Sequence, residues 1–274
     1  LADTDQGSDE DFSLHHERVQ ARAQGLPVRD GLIPFAAVEA RQRALPSPHG
    51  GWAWVNPAHC LVGQAHVSLQ SPTLLGLRED ESRALLAAMA PYFEEDGITL
   101  HYAAPDRWLA CAAAFTDLPT ASLDRVAGRD IAPWMPEAPA LRRLQNEMQM
   151  LLYTHPVNDA RSAQGLSPVN TFWLSGTGPL PPEHAQTEAL ETVPRLRAPA
   201  LACDWSRWQA AWQALDTERC GPLLQKLRAG EQPITLTLAG TRSALQFRST
   251  PRSWWQRLLP RRQGPTLTTL ADRL

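Results

Sequence analysis

The sequence LRRLQNEMQMLLYTHPVNDARSAQGLSPVNTFWLSGTG, residues 141–178, carries the clearest structural signals of the chain. Its first part has apolar residues at helical spacing, which predicts a long amphipathic helix. Pro156 cannot extend the hydrogen bonding of that helix, so it begins a new turn and a second, short helix. The apolar run at 169–174 predicts a buried strand that leads into a glycine loop. Helix, short helix and strand in this order are typical of an α/β fold.

Three polar residues around the proline are candidates for a ligand site. His155, Asn158 and Arg161 are spaced by three, so the last two share one face of the short helix and His155 lies at its start. An imidazole, an amide and a guanidinium at a helix N-terminus can bind an anion. The same residues also fit a structural role, in which His155 caps the helix, Asn158 bonds to backbone and Arg161 makes an ion pair.

The glycine loop that follows the strand allows two interpretations. Ser175, Gly176, Thr177 and Gly178 could cradle a phosphate on backbone N–H groups. The loop lacks the Lys of a Walker loop and runs into Pro179 instead of a helix, which favours a plain turn.

The rest of the chain alternates strand and helix patterns. Strands are predicted within 57–69, within 98–112 and as a hairpin at 234–248, and a helix is predicted over 78–95 with a kink at Pro91. A helix capped by Asp204 carries three tryptophans at helical spacing. We therefore predict an α/β fold in which a mixed sheet is flanked by helices.

Composition and charge set the domain organisation. The chain has 274 residues, 43% of them hydrophobic, which suffices for a real core. Residues 1–17 carry six acidic and no basic residues, whereas the end from 242 on is strongly basic. We predict an acidic N-terminal tail at 1–30 and a single α/β domain at 31–274, with a Pro-rich loop at 179–199.

The same counts bear on location and partners. No window approaches the roughly 18 to 20 apolar residues of a membrane span, so we expect no membrane partner. Four widely separated cysteines without a CxxC pair favour reduced thiols in a cytoplasmic protein. Trp254 and Trp255 lie among arginines, but a pI near 6.3 argues against a nucleic-acid partner. A protein partner is not indicated by any motif.

Taken in order, the motifs of 141–178 resemble those of the archaeal-type cofactor-independent phosphoglycerate mutases. That family carries a long helix, HPVN, an Arg three residues later, a Gly, an Asn before a strand and a Gly-x-Gly loop. The matching positions here are His155, Pro156, Val157, Asn158, Arg161, Gly165, Asn170, Gly176 and Gly178. Arg107 lies in an upstream segment, 98–111, that is also similar, although Asp106 stands where the family has an aromatic residue. The similarity covers residues 75–182.

A wider resemblance extends over most of the chain. LxRLQxExQMLLYTHPVNxAR and FWLSGTG resemble a bacterial group of phosphoglycerate mutase-like or RpfE-type regulatory proteins. The resemblance implies an alkaline-phosphatase-like core, trimmed around a ligand segment. It implies that a small phosphorylated or anionic metabolite is bound by His155, Asn158, Arg161, Asn170, Ser175, Gly176, Gly178 and Arg107.

The resemblance does not extend to the metal ligands. Enzymes of the alkaline-phosphatase superfamily hold two divalent metals with Asp and His side chains. This sequence has no Asp-His dipeptide and no His after His184, and its one Asp-xxx-His spacing, Asp11 to His15, lies near the N-terminus and is followed by His16. We therefore expect a regulatory protein with no metal site and no cofactor, and the sequence leaves open whether it is an enzyme. Two alternatives stay open: an active metal-dependent phosphoglycerate mutase or phosphatase with a rearranged site, and a structural or interaction protein without a ligand.

Overall fold

The computed structural model describes residues 2–46, 50–64, 66–181, 192–230, 234–240 and 243–249. Its strands are β1 (Ala2–Gln6), β2 (Gly51–Ala58), β3 (Cys60–Val62), β4 (Val67–Leu69), β5 (Thr99–Ala104), β6 (Arg107–Ala112), β7 (Thr171–Gly178), β8 (Thr235–Ala239) and β9 (Ser243–Arg248). Its helices are α1 (His15–Ala23), α2 (Phe35–Gln42), α3 (Pro72–Leu75), α4 (Glu79–Glu95), α5 (Leu123–Val126), α6 (Pro139–Tyr153), α7 (Pro156–Ala163), α8 (Arg197–Leu201), α9 (Trp205–Leu215) and α10 (Gly221–Ala229). The chain forms two units, one from residues 21–190 and one from 1–20 with 191–274.

The larger unit is built on a four-stranded sheet with the order β5-β6-β2-β7. All three strand pairs in it are antiparallel, and Val55 in the centre lies opposite Trp108 on β6 and Leu174 on β7. A parallel bridge joins Leu69 to Ala127 outside these strands. Helices flank the sheet, and the prediction of an α/β fold is confirmed.

The main hydrophobic core fills one face of this sheet. Alternate residues of β2, β6 and β7 contact the apolar stripes of α4 and α6, because side chains on a strand point to opposite faces in turn. The buried set includes Leu85, Met89, Phe93, Leu144, Met148, Leu152, Trp108, Phe172 and Leu174. The predicted helical stripe of 141–152 thus packs as expected. Helix α4 continues through Pro91, where the sequence predicts a kink.

The other face of the sheet is covered by α2. Its small residues Ala36, Ala37 and Ala40 pack against Trp52 on β2 and Leu109 on β6. Alanines on this side let the helix lie close to the two large side chains.

A two-stranded hairpin, β3 with β4, continues the chain beyond β2. Cys60 lies opposite Leu69 and Val62 opposite Val67. Both strands lie within residues 57–69, where the sequence predicts strand.

The smaller unit contains the three-stranded sheet β1-β9-β8, all antiparallel. The hairpin predicted at 234–248 is confirmed as β8 and β9, with Leu236 opposite Phe247, and its turn residues 241–242 lie outside the described residues. Trp254, Trp255 and the basic C-terminal end also lie outside them. Asp204 caps α9 by accepting a hydrogen bond from the Arg207 N–H at 3.0 Å, as predicted.

Residues 1–30, for which the sequence predicts an acidic tail, include strand β1 and helix α1. The Asp5 carboxylate is buried and accepts hydrogen bonds from His15 Nδ1 at 2.7 Å and Arg18 Nε at 2.8 Å. Asp11 accepts from a second nitrogen of Arg18 at 2.9 Å. The Arg18 guanidinium thus pairs with two of the acidic side chains of this stretch. Of the predicted Pro-rich loop at 179–199, residues 182–191 lie outside the described residues, and α8 begins at Arg197.

The tryptophans of α9 form a row along the helix. Trp208 stacks on Trp212 with ring centroids 5.9 Å apart, and Trp205 meets Trp208 edge-on at 6.3 Å. Trp205 and Trp212 are exposed, so helical spacing here does not mark a core face.

Candidate functional site

His155 is the N-cap of α7. Its Nδ1 accepts a hydrogen bond from the Val157 N–H at 3.2 Å, and Pro156 occupies the first helical position, where a missing N–H costs nothing. Burial lowers the pKa of the half-buried ring, and the nearby Asp159 carboxylate opposes this shift. A neutral imidazole suits the capping role, since the cap needs a lone pair.

Asn158 joins the end of α6 to the start of β7. Its side chain is buried and donates to the carbonyls of Leu152 and Val169, both at 2.7 Å. Its Oδ1 accepts from the Val169 N–H at 2.8 Å. Both donors and the acceptor of the amide are therefore used by backbone groups.

Arg161 has the most enclosed charge in the larger unit, with 0% of its surface exposed. Its Nη1 donates to Glu81 Oε2 on α4 at 2.9 Å, its Nε donates to the Ser167 carbonyl at 2.9 Å, and its Nη2 donates to the Leu75 carbonyl. The guanidinium thus ties together three segments: the N-terminus of α4, the end of α3 and the chain that enters β7.

Asn170 connects the segment before β7 to the hairpin β3–β4. Its Oδ1 accepts from the Cys60 N–H at 2.7 Å and its Nδ2 donates to the Cys60 carbonyl at 3.0 Å. The side chain therefore pairs with the backbone of Cys60 as a neighbouring strand would.

The predicted glycine loop, residues 175–178, is the last part of strand β7 and pairs with β2, and each of its glycines has a steric cause. Gly176 has φ +64°, and a Cβ there would lie 2.8 Å from the Trp54 ring. Gly178 has φ +134°, and a Cβ there would lie 3.2 Å from the Pro34 side chain. Ser175 is buried in the same strand. The strand ends at Gly178 and no helix begins at 179–181, the described residues that follow, so these residues offer no helix N-terminus to a phosphate.

Arg107 lies near the glycine loop. Its Nε is 3.4 Å from Glu39 Oε2, and its guanidinium lies over the Trp54 ring at 5.3 Å from the centroid. The Trp54 indole N–H donates to the same carboxylate at 2.8 Å, and Arg43 donates to the other oxygen of Glu39 at 3.0 Å.

The predicted ligand residues do not meet in one place. Ser175 lies opposite Trp54 in the β2–β7 register, so its side chain and Arg107 are on the face covered by α2. Asn158 and Arg161 lie on the other face, where Arg161 contacts α4. Asn170 and Gly176 are also separated by about 20 Å along the strand, at roughly 3.3 Å per residue. The assignment of these residues to a metabolite stays a prediction.

The donor set of the described residues does not fit a dinuclear metal centre. No group of three or more His, Cys, Asp or Glu side chains in the described part of the chain is placed to hold an ion. The Asp11-to-His15 spacing does not form a metal site either, because Asp11 pairs with Arg18 and His15 with Asp5.

Cys60, next to His59, is not an activated nucleophile. Burial raises the pKa of its thiol to about 11. A thiol with that pKa is almost wholly protonated at neutral pH and reacts slowly. Cys111 is also buried, and burial raises its pKa.

Two functional partners were not evident from the sequence. Glu81 is the third residue of α4, where it also accepts a hydrogen bond from the Arg78 N–H at 2.9 Å, and this helix-start pattern is the one local signal it gives. Glu39 has no such signal, because it lies within α2 and its partners, Trp54 and Arg107, are on the strands that α2 covers.

Comparison with known proteins gives a distant structural likeness. No protein-family model and no curated protein matches the chain. Among solved structures, the chain is similar to a cofactor-independent phosphoglycerate mutase from Thermoplasma acidophilum, at 14% identity and a TM-score of 0.39, over 73% of this chain. The chain spans 65% of that mutase's length, slightly less than two thirds. The fold described above therefore rests on the chain's own elements. In the part of the chain that the structure describes, no helix is long and apolar enough to cross a membrane.

Proposed function

We propose that this chain is a phosphoglycerate mutase-like cytoplasmic protein of the RpfE-type regulatory group, which acts by binding and not by turnover. Its trimmed, alkaline-phosphatase-like core keeps the HPVN segment as a structural element. The proposal keeps the regulatory role expected from the sequence and gives His155, Asn158 and Arg161 a structural role in place of ligand binding.

The observation that carries the proposal is the Arg161 network. Every nitrogen of this guanidinium has a protein acceptor: the carboxylate of Glu81 and two backbone carbonyls. A phosphate that bound Arg161 would have to displace Glu81 and leave that buried carboxylate with the half-exposed Arg78 as its remaining cationic neighbour, at 3.1 Å. Breaking a buried pair in this way costs about 3–5 kcal/mol, which a small metabolite would have to supply before it gained any affinity.

A second candidate function is anion binding at Arg107. This guanidinium is the accessible cation among the predicted ligand residues, with 40% of its side chain exposed. Arg43 shares its Glu39 partner, so two guanidinium groups flank one carboxylate. Their combined positive charge favours a small anionic or phosphorylated metabolite on the α2 face.

Calorimetry and an activity assay on the full chain test both functions. We expect no phosphoglycerate mutase or phosphatase turnover with added manganese, and no metal in elemental analysis. Titration with 3-phosphoglycerate and with inorganic phosphate measures any affinity, and Arg107→Ala removes it if the second candidate is right. Arg161→Lys should lower the melting temperature and leave that affinity unchanged.

Turnover by the wild-type chain contradicts the main proposal. So does an Arg161→Lys variant that melts like wild type but loses phosphate-ester binding. In that case Arg161 contacts a ligand and the internal network is not its main role.

A further inference from the structure

Helices α9 and α10 of the smaller unit form one continuous helix. A π-turn, Asp216–Cys220, joins them, and the backbone dihedrals stay helical at both junctions. The helix therefore runs from Trp205 to Ala229, which is roughly 37 Å at about 1.5 Å per residue. All of residues 205–229 are described, and Leu215 alone among them is buried. The chain thus leaves most of this helix exposed to solvent.

Apolar side chains form a stripe along this helix. Within each half of the helix they recur every three to four residues, as in helices that pair with one another. The stripe consists of Trp205, Trp208, Trp212 and Leu215 before the π-turn and of Cys220, Leu223, Leu224 and Leu227 from the last residue of the turn on. The exposed fractions are 64% for Trp205, 46% for Trp212 and 47% for Leu224. With Leu223 and Leu227, which are also exposed, these side chains leave on the order of 500 Å² of apolar surface in water, as much as the largest patch of a typical monomer.

The π-turn keeps both halves of the stripe on one face of the helix. Pro222 has no N–H for the carbonyl four residues before it, and its ring conflicts with that carbonyl, so a regular α-helix is disrupted here. Gly221 donates its N–H to the Asp216 carbonyl, which adds one residue to the turn. Without that residue the leucines of α10 would lie about 100° away from the tryptophans around the helix axis. With it, Leu215 and Cys220 lie on the same face and the stripe continues.

The two halves of the stripe are complementary to each other in size. If two copies of the helix lie antiparallel about a twofold axis at Asp216, each large aromatic side chain of one copy meets a smaller side chain of the other. The pairs, each equidistant from residue 216 in the sequence, are Trp205 with Leu227, Trp208 with Leu224 and Trp212 with Cys220. Large residues opposite small ones let two helices interdigitate. A parallel pair would instead place each tryptophan against its own copy.

The charges at the two ends of the helix favour the same arrangement. Asp204 and Arg207 balance each other at the N-terminal end, whereas Lys226 and Arg228 make the last turn basic. A parallel pair would bring the two basic ends together, and an antiparallel pair places each of them beside the partner's Asp204. The two Asp216 carboxylates are neighbours at the axis, but this position is exposed, where a like-charge pair costs little.

We propose that a second copy of this chain covers the stripe, so that the protein dimerises through an antiparallel pair of these helices. The apolar patch supplies the greater part of the roughly 800 Å² that each partner buries in a standard interface, and the polar side chains beside the stripe supply the rest. Such a pair is closed, since every contact, such as Trp205 with Leu227, occurs twice. The residues predicted to bind a metabolite all lie outside this helix, so dimerisation is independent of the proposed function.

Analytical ultracentrifugation of the full chain, up to a concentration on the order of 100 μM, measures the dimer. Leu224→Glu places a charge opposite Trp208 and should raise the dissociation constant of the dimer about tenfold or more. Gln225→Glu adds the same charge at the next position, which is exposed and off the stripe, and should leave the dissociation constant unchanged. Leu227→Gln repeats the test of the stripe without a charge, and circular dichroism checks that each variant is folded.

Two results of this experiment overturn the proposal. One is a wild-type chain that stays monomeric at the highest concentration, as it would if a lipid surface or another protein covered the stripe. The other is a dimer that the stripe variants weaken no more than Gln225→Glu does, because another surface then holds the two copies together.

Disulfide trapping tests the orientation of the two helices. Trp212→Cys places a thiol opposite the partner copy's Cys220 in the antiparallel pair, and Cys203→Ser removes the other exposed cysteine. Oxidation of this double variant should link position 212 of one copy to Cys220 of the other, as identified by mass spectrometry of the digested dimer. Gln213→Cys, off the stripe, is the matched control and should not form the link.

The native Cys220 side chains report the opposite arrangement. In the antiparallel pair they are separated by about 12 Å along the helix axis, which is too far for a disulfide. A main product that links Cys220 to Cys220 would mean a parallel pair and would overturn the proposal, as would the absence of the link from position 212 in a chain shown to be dimeric.

Discussion

Arg161→Ala should destabilise the larger unit severely, because it removes the buried partner of the Glu81 carboxylate and leaves only the half-exposed Arg78 beside it. Glu81 is almost fully buried and lies 2.9 Å from the guanidinium. Removing one member of a buried pair costs about 3–5 kcal/mol. The carbonyls of Ser167 and Leu75 lose their donors as well, at about 1–3 kcal/mol for each group that stays buried. These losses overlap, since the atoms share one network.

We therefore expect Arg161→Ala to lower the free energy of unfolding by about 5 kcal/mol. For a unit of this size, each kcal/mol lowers the melting temperature by roughly 2–4 °C, which gives a fall of roughly 10–20 °C. Circular dichroism during heating and during urea titration measures it. Arg142→Ala, at an exposed position of α6, is the matched control and should change the stability by less than about 0.5 kcal/mol.

A double-mutant cycle separates the ion pair from the loss of side-chain volume. Glu81→Gln should destabilise the wild-type chain, whose Arg161 then lacks a counterion. In the Arg161→Ala background Glu81 keeps only the half-exposed Arg78 as a counterion, so the same change should cost less stability than in the wild-type chain. We expect a coupling free energy of about 1–3 kcal/mol. Additive effects, or an Arg161→Ala variant as stable as the Arg142→Ala control, would refute the reasoning.

Three further predictions concern other parts of the chain. Gly176→Ala should lower the free energy of unfolding, measured with urea, by roughly 2–4 kcal/mol, because the backbone is left-handed and the new Cβ clashes with the Trp54 indole. Gly128→Ala, where φ is +72° and the space is open, should lower it by only about 1–2 kcal/mol. Equal losses would mean that the indole moves aside and the clash costs nothing. Burial lowers the pKa of His101 below its ordinary 6.5, so the unfolded chain binds the proton first and the free energy of unfolding falls as the pH drops through 6.5. His101→Phe should flatten this dependence of stability on pH between pH 8 and 5. An unchanged dependence would assign it to other groups. Ellman's reagent at pH 8 should label exposed Cys203 in the folded chain far faster than Cys60, whose pKa is about 11, and comparable rates would contradict the buried state of Cys60.

Local periodicity predicted much of the fold. Three predicted features depend on neighbours within a few positions, and each is present in the structure: the stripe of 141–152, the alternation in β8–β9 and the Asp204 cap. The row of tryptophans in α9 has the same helical spacing and is largely exposed, because a periodic stripe does not specify what covers it.

The candidate site depended on distant contacts that sequence patterns do not contain. The spacing of Asn158 and Arg161 placed them correctly on one short helix, but the partner of Arg161, Glu81, lies 80 residues away on α4. Position 176 requires a glycine because the Trp54 ring lies against it. This contact between β7 and β2 exists only once the sheet has formed.

The Arg161–Glu81 pair also bears on the order in which the larger unit assembles. Its two residues are 80 positions apart, so the chain must close a long loop before they meet. Because neither charge leaves water cheaply before the other arrives, we expect the pair to form late in folding. An interaction that is absent from the transition state acts on the unfolding rate alone. We therefore expect Glu81→Gln to speed unfolding and to leave the folding rate nearly unchanged.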